Sequence, residues 1–456
     1  MNEQARPNSL AARDIAYCVH PQTNLARHRD VGPLTITHGE GIHVVSDDGR
    51  RFIDTNSGLW CSSLGYANER LAKAAYEQMR TLGAYHTFRH STNEAVVLLS
   101  EKLVAMAPKP MAKVLLQCSG SEANDTAIKL AWYYHAAKGN PGKYKIIGRE
   151  RGYHGTSCAT TSLSGKRDMH ADFHLPLPGF LHTQFPHYYR EHEDGETEEE
   201  FATRMAEALE ALILAEGPDT VAAFFAEPVM GAGGAVVPPR TYFAKVQEVL
   251  RRHDVLFIAD EVICGFGRTG NMWGTETFAL EPDMMSCAKA LSAGMIPISA
   301  LMISDRVYDA LVSQSEKLGA FAHGYTYSGH PVSAAVALET LKIYEEMDVV
   351  AQTRRLGAHL LAGLKTLLDY PFVGDVNGVG LIAGIELVKD RESRTPLDPA
   401  LKIPQALDAN AREQGLIMRI VGERVAFAPP FIITEDEIDE ILRRFRIALE
   451  KTFAQA

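Results

Sequence analysis

The chain alternates short apolar runs with longer stretches whose apolar residues recur every three or four positions. The runs at 113–117, 145–148, 221–226, 255–259, 284–288 and 298–303 read as buried strands. Helical spacing predicts helices over 70–82 and 93–107. A further helix carries Ile128, Ala131, Trp132 and His135 on one face and stops before Gly139-Asn140-Pro141-Gly142. Strands interleaved with helices in this way predict an α/β protein. Ahead of them, 42–46 and 51–54 flank Asp47-Asp48-Gly49-Arg50 as a hairpin, and residues 1–23 form a mixed, polar arm. The stretch from His182 begins with a polar, His-rich insertion, whose acidic run at 191–200 reads as a solvated loop entering a helix. Helices at 334–346 and 350–368, strands at 379–387, 416–419 and 425–428, and a closing helix at 435–453 make a C-terminal α+β portion.

Composition narrows the partners. With 456 residues the chain can hold two or three domains, or one large core with a satellite. A content of 46% hydrophobic and 23% charged residues is that of an ordinary globular protein, and a net charge of -11 argues against nucleic acid or an anionic membrane as partner. No apolar run reaches membrane-spanning length, and residues 1–20 lack the pattern of a signal peptide. Six scattered cysteines have the spacing of neither a disulfide framework nor a zinc cluster, so a reducing cytoplasm is expected.

Candidate chemistry sits where strands end. The run 255–259 leads into Asp260-Glu261-Val262, and the run 284–288 leads into Lys289, followed by the small-residue turn Ser292-Ala293-Gly294. Ligands of open α/β sheets bind beyond the carboxyl ends of the strands. An amine and a carboxylate placed there suit pyridoxal phosphate (PLP), with the lysine attached to the cofactor and the aspartate keeping its pyridine nitrogen protonated. Cys118-Ser119-Gly120-Ser121 joins a strand to a helix, where small residues let backbone N–H groups reach an anion, so Gly120 and Ser121 are candidates for the cofactor phosphate. Tyr153, between glycines at another strand end, can lie flat on a ring. Two other motifs carry less. Gly265-Phe266-Gly267-Arg268-Thr269-Gly270 fits a dinucleotide pattern but neither follows its strand directly nor opens a helix. His86 and His90 have metal-ligand spacing for a helix but no third ligand in a strong context.

Asp260-Glu261-Val262 together with Ala288-Lys289-Ala290-Leu291-Ser292-Ala293-Gly294 resembles the signature of the class III (omega) aminotransferases. The resemblance runs from about Gly41 to the closing helix and implies PLP fold type I. A large domain with a mostly parallel seven-stranded sheet is then expected at 60–329, and a smaller α+β domain built from 1–59 and 330–456. It implies Lys289 as the catalytic and cofactor-bearing lysine, with Asp260, Val262, Gly120, Ser121 and Tyr153 around PLP. It also implies a homodimer, or a tetramer of paired dimers, with shared active sites: Thr326 serves the partner's phosphate and Phe88 the partner's pocket wall. Trp60 is expected to line the substrate pocket and Arg419 to bind a substrate carboxylate. Class III enzymes that act on glutamate and 2-oxoglutarate generally carry a Glu in the Gly-rich turn where this chain has Ala232. The expected reaction is therefore ping-pong transfer of an amino group from a primary amine or omega-amino acid to a keto acid, pyruvate first, as in omega-amine:pyruvate aminotransferases. Alternatives are a beta-alanine or 4-aminobutyrate aminotransferase, a PLP-dependent decarboxylase, or a catalytically silent scaffold, against which the intact Asp260, Lys289 and phosphate-loop set argues. His154 and Glu227 have no assigned role, and His154 reads as structural.

Overall fold

The computed structural model describes residues 8–108 and 110–454. Its centre is a seven-stranded sheet in the spatial order Met111–Gln117, Ser299–Ser304, Met284–Cys287, Leu256–Asp260, Val221–Ala226, Lys145–Arg149 and Phe180–Thr183. Ser299–Ser304 runs antiparallel to both of its neighbours, and all the other pairings in the sheet are parallel. The side-chain period of two explains why these strands read as unbroken apolar runs. Ala223, Phe225 and Ile258 pack on one face, with Ala127, Ile128 and Ala131 of the helix Gly120–Ala137. Phe224, Ala226 and Phe257 pack on the other, with the helices Glu198–Glu216 and Tyr242–Arg252. Both faces are covered, so the central positions of these strands are apolar on either side.

One strand of this sheet was not expected. Phe180–Thr183 extends the sheet at its edge, pairing in parallel with Lys145–Arg149. It is four residues long, and His182 and Thr183 make half of it polar, which is why its pattern merges with the His-rich loop that follows.

The N-terminal hairpin His43–Ser46 and Arg51–Asp54 forms as expected, with Gly49 at φ +82° in its turn. Leu416–Ile417, from the far end of the chain, adds in parallel to Arg51–Asp54. The expected strand at 416–419 is in fact two: it breaks at Met418, and Arg419–Val421 joins a separate antiparallel sheet with Arg424–Phe427, Ile382–Leu387 and Val373–Val379. The expected strand at 379–387 is likewise a hairpin, turning at Gly380 (φ +56°). The closing helix spans Glu435–Ala454. Among the described residues no helix is long and apolar enough to cross a membrane.

Candidate active site

The strands Leu256–Asp260 and Met284–Cys287 are neighbours, with Asp260 paired opposite Ser286, so their carboxyl ends deliver Asp260 and Lys289 to one cavity of about 340 Å³. Gly120, Ser121, Tyr153, Asp260, Val262 and Lys289 all line it.

Asp260 is held by four donors. Oδ2 accepts from Asn124 Nδ2 at 2.8 Å and from His154 Nδ1 at 2.7 Å; Oδ1 accepts from the Val262 amide at 3.1 Å and Ser286 Oγ at 3.4 Å. Asn124 and His154 are buried, and Asn124 Nδ2 also donates to the His154 carbonyl at 2.8 Å, so the three side chains form one unit. Lys289 sits at the strand end with φ +47°, and among the described residues its Nζ has no hydrogen-bond partner. Burial lowers its pKa, opposed by the negative charges of Asp260 and Glu227.

The helix Gly120–Ala137 opens at the same cavity. Ser119 caps it, accepting from the Glu122 amide at 3.2 Å, while Glu122 accepts from the Cys118 amide at 2.7 Å. Side chains would obstruct this corner: a Cβ on Gly120 would lie 3.0 Å from both methyls of Val262, and one on Gly155 would lie 2.6 Å from Ser121 Oγ. Ser121 Oγ also accepts from the Thr156 amide at 3.2 Å. Such a concave, donor-rich helix start could hold a phosphate. Between it and Asp260, Tyr153 borders the space; burial raises the pKa of its hydroxyl, helped by Asp260 and Glu227 and opposed by Arg419. A half-buried amine, a clamped carboxylate and an anion corner fit PLP.

Other expected site residues lie elsewhere. Trp60 is buried in one cluster with Val229, Ile263 and Cys264, and its neighbour Cys61 and Ile263 line the cavity. Phe88 is exposed on the loop after the helix Glu69–Leu82, its ring against Gly324, and Thr326 is exposed on the segment that Gly324 begins. Neither lines this chain's own cavity. Ala232 is half-buried in a turn whose Gly231 amide donates to Glu227 Oε2 at 3.0 Å. Arg419 is half-buried, and its buried Nε has no hydrogen-bond partner among the described residues. Residues 86–90 are not helical, so the four-residue spacing of His86 and His90 does not bring them onto one helix face.

Two residues gain a place that sequence reading did not assign. His154 contacts Asp260 rather than only filling the core, and Glu227 accepts from the Tyr153 amide at 3.1 Å as well as from Gly231, tying the aromatic loop to the Gly-rich turn. Asn124 was detectable in principle, because it stands one helical turn beyond Gly120 and so shares its face.

Fold and cavity together define a PLP-dependent enzyme of fold type I, with paired strand ends supplying a lysine and an aspartate and a helix N-terminus supplying the anion site. Residues 25–449 match the family model for aminotransferase class-III, and the chain belongs to that family. It is 46% identical to the tomato (Solanum lycopersicum) gamma aminobutyrate transaminase 3, chloroplastic, over 99% of this chain and 88% of that protein. An omega transaminase from Pseudomonas jessenii in complex with PMP superposes with TM-score 0.97 at 49% identity, over 98% of this chain and 99% of that one. A thermostable omega transaminase variant altered at a tryptophan, a phenylalanine and an arginine, engineered for asymmetric synthesis of enantiopure bulky amines, matches equally well (TM-score 0.97, 49% identity, 98% of this chain and 100% of that one). The protein is therefore a PLP-dependent aminotransferase acting on small-molecule amine and keto acid substrates.

Proposed function

We propose that the enzyme transfers the amino group of a primary amine or omega-amino acid to pyruvate. Two observations carry this reading together: Ala232, an uncharged residue, stands in the Gly-rich turn, and the buried Nε of Arg419 has no acceptor among the described residues. An arginine left free by its own chain can bind a keto-acid carboxylate, while the uncharged turn admits an apolar amine. Further support comes from the variant engineered for bulky amines. The residue types altered there recur here as Trp60, Phe88 and Arg419, in the same order and with the same spacing.

The cofactor, when bound, supplies an electron sink for the substrate Cα. Gly120 and Ser121 would hold its phosphate, and Tyr153 and Val262 would flank its ring. Asp260, oriented by Asn124 and His154, would keep the ring nitrogen protonated. Lys289 Nζ would anchor the cofactor and would move the proton off the substrate Cα. Its depressed pKa favours the neutral amine that this step needs.

We further propose a homodimer in which Thr326 and Phe88 complete the partner's site, since both are exposed and lie outside their own chain's cavity. The pairing of Leu416–Ile417 with Arg51–Asp54 supports a small domain made from 1–59 and 330–456, beside a large domain at 60–329. Six free cysteines accord with a cytoplasmic setting.

The deciding experiment is a donor screen against pyruvate and 2-oxoglutarate, reading alanine and glutamate. Alanine formed from apolar amines supports the proposal. A strong preference for 2-oxoglutarate overturns it, and 4-aminobutyrate as the sole good donor with pyruvate would restrict it to an omega-amino-acid enzyme.

A further inference from the structure

The N-terminal arm holds a side-chain cluster outside the catalytic cavity. Asp14 lies on the helix Leu10–Tyr17 and His28 on the helix Leu25–Val31, with His20 in the turn between them. His20 Nε2 lies 2.9 and 2.8 Å from the two Asp14 oxygens, and His28 Nε2 lies 3.0 Å from Oδ2. The ligand atoms all fall within 4.8 Å of one another. The imidazoles face each other with centroids 4.2 Å apart, so both rings aim the same nitrogen at one carboxylate. His28 is buried. Cys18 stands one turn beyond Asp14, its backbone N–H donating to the Asp14 carbonyl at 2.8 Å. The sequence spacing matches no metal motif: the residues converge only because the chain turns back at Pro21-Gln22-Thr23.

We propose that Asp14, His20 and His28 form a binding site for a divalent transition ion, Zn²⁺ foremost, that staples the two arm helices together. One histidine would suffice to satisfy Asp14 by hydrogen bonding; two nitrogens and an oxygen converging on one point are a donor set that zinc accepts. Three protein ligands leave a fourth position open. The ion has no part in the transamination chemistry, because none of these residues lines the catalytic cavity. A structural ion would make the order of the arm depend on metal.

The holoenzyme, freed of metal by chelator and dialysis, is titrated with Co²⁺ as a spectroscopic stand-in for zinc. Visible d–d bands, at longer wavelength than the cofactor absorbs, report a coordinated site. The expected result is saturation at about one equivalent per chain, reversed by Zn²⁺. Affinity should fall by about a hundredfold or more in His20→Ala and in Asp14→Asn, and stay unchanged in His359→Ala, a histidine paired elsewhere with Asp439. His20 is partly exposed, so its replacement tests the site without opening a core. Native mass spectrometry of wild type and His20→Ala gives a second reading of bound metal that does not depend on spectra. Absence of stoichiometric Co²⁺ binding, or binding that survives both substitutions, would show that the cluster is a hydrogen-bonded Asp–His group only and overturn the proposal.

Discussion

His154 Nδ1 lies 2.7 Å from Asp260 Oδ2, with both side chains sealed from solvent. The contact joins the loop after the strand Lys145–Arg149 to the end of Leu256–Asp260 and fixes the direction in which the aspartate faces the cavity. His154 is thus a positioning residue. His154→Ala is expected to slow the half-reaction with an amine by about tenfold to a hundredfold, the worth of one hydrogen bond to a charged group. It should also weaken cofactor retention and shift the cofactor's absorbance maximum, with His154→Asn partly restoring both. Stopped-flow spectra with 1-phenylethylamine check this. A rate loss with an unchanged spectrum would assign His154 to packing alone.

Lys289 should carry the cofactor covalently. Borohydride reduction and peptide mapping are expected to find the pyridoxyl label on Lys289, and Lys289→Ala should abolish turnover while leaving the fold intact. A label on another lysine would refute the assignment.

Replacing Arg419 separates the two half-reactions. Loss of a charge-assisted pair is expected to raise the Michaelis constant for pyruvate by about tenfold to a hundredfold in Arg419→Ala, leaving the reaction with 1-phenylethylamine nearly intact. Equal losses in both directions would make Arg419 structural.

Shared sites predict complementation. Lys289→Ala chains mixed with Thr326→Ala chains should regain activity in hybrid dimers, because one of the two sites then has both residues intact. Exchange of subunits without recovery would place Thr326 in its own chain's site.

Glu261, next to Asp260, is fully buried and accepts from the Gly274 and Thr275 amides at 3.0 and 2.5 Å. Burial nonetheless dominates and moves its pKa from 4.5 to about 7. Between these values the folded state binds a proton that the unfolded state has lost, so this group's contribution to stability is present below pH 4.5 and declines as pH rises to 7. Glu261→Gln lacks that titration. Its melting temperature relative to wild type should therefore become more favourable between pH 5 and pH 8, by the equivalent of at most roughly 3 kcal/mol. A difference independent of pH would show that Glu261 does not titrate in this window.

Much of this protein could be read from local pattern. The strand at 221–226 is apolar throughout, and that at 284–287 but for Ser286, because both sheet faces are covered, and a strand covered on both sides has few other solutions. Asp260 and Lys289 were recognisable because each follows such a run directly, and Gly120 and Ser121 because small residues mark a strand-to-helix turn. Pattern failed where elements are short or depend on distant partners. Phe180–Thr183 is too brief and too polar to stand out, and the break at Met418 exists because Leu416 pairs with the N-terminal hairpin while Arg419 pairs with Ala426. The same limit governs the site. Residue type and position along the chain determined the lysine, the aspartate and the anion corner. Only tertiary structure decided that His154 and Asn124 clamp Asp260, and that Asp14, His20 and His28 meet. The reason is physical: periodicity records which face of its own element a residue occupies, while a contact between elements depends on how they pack, and that geometry has no local signature.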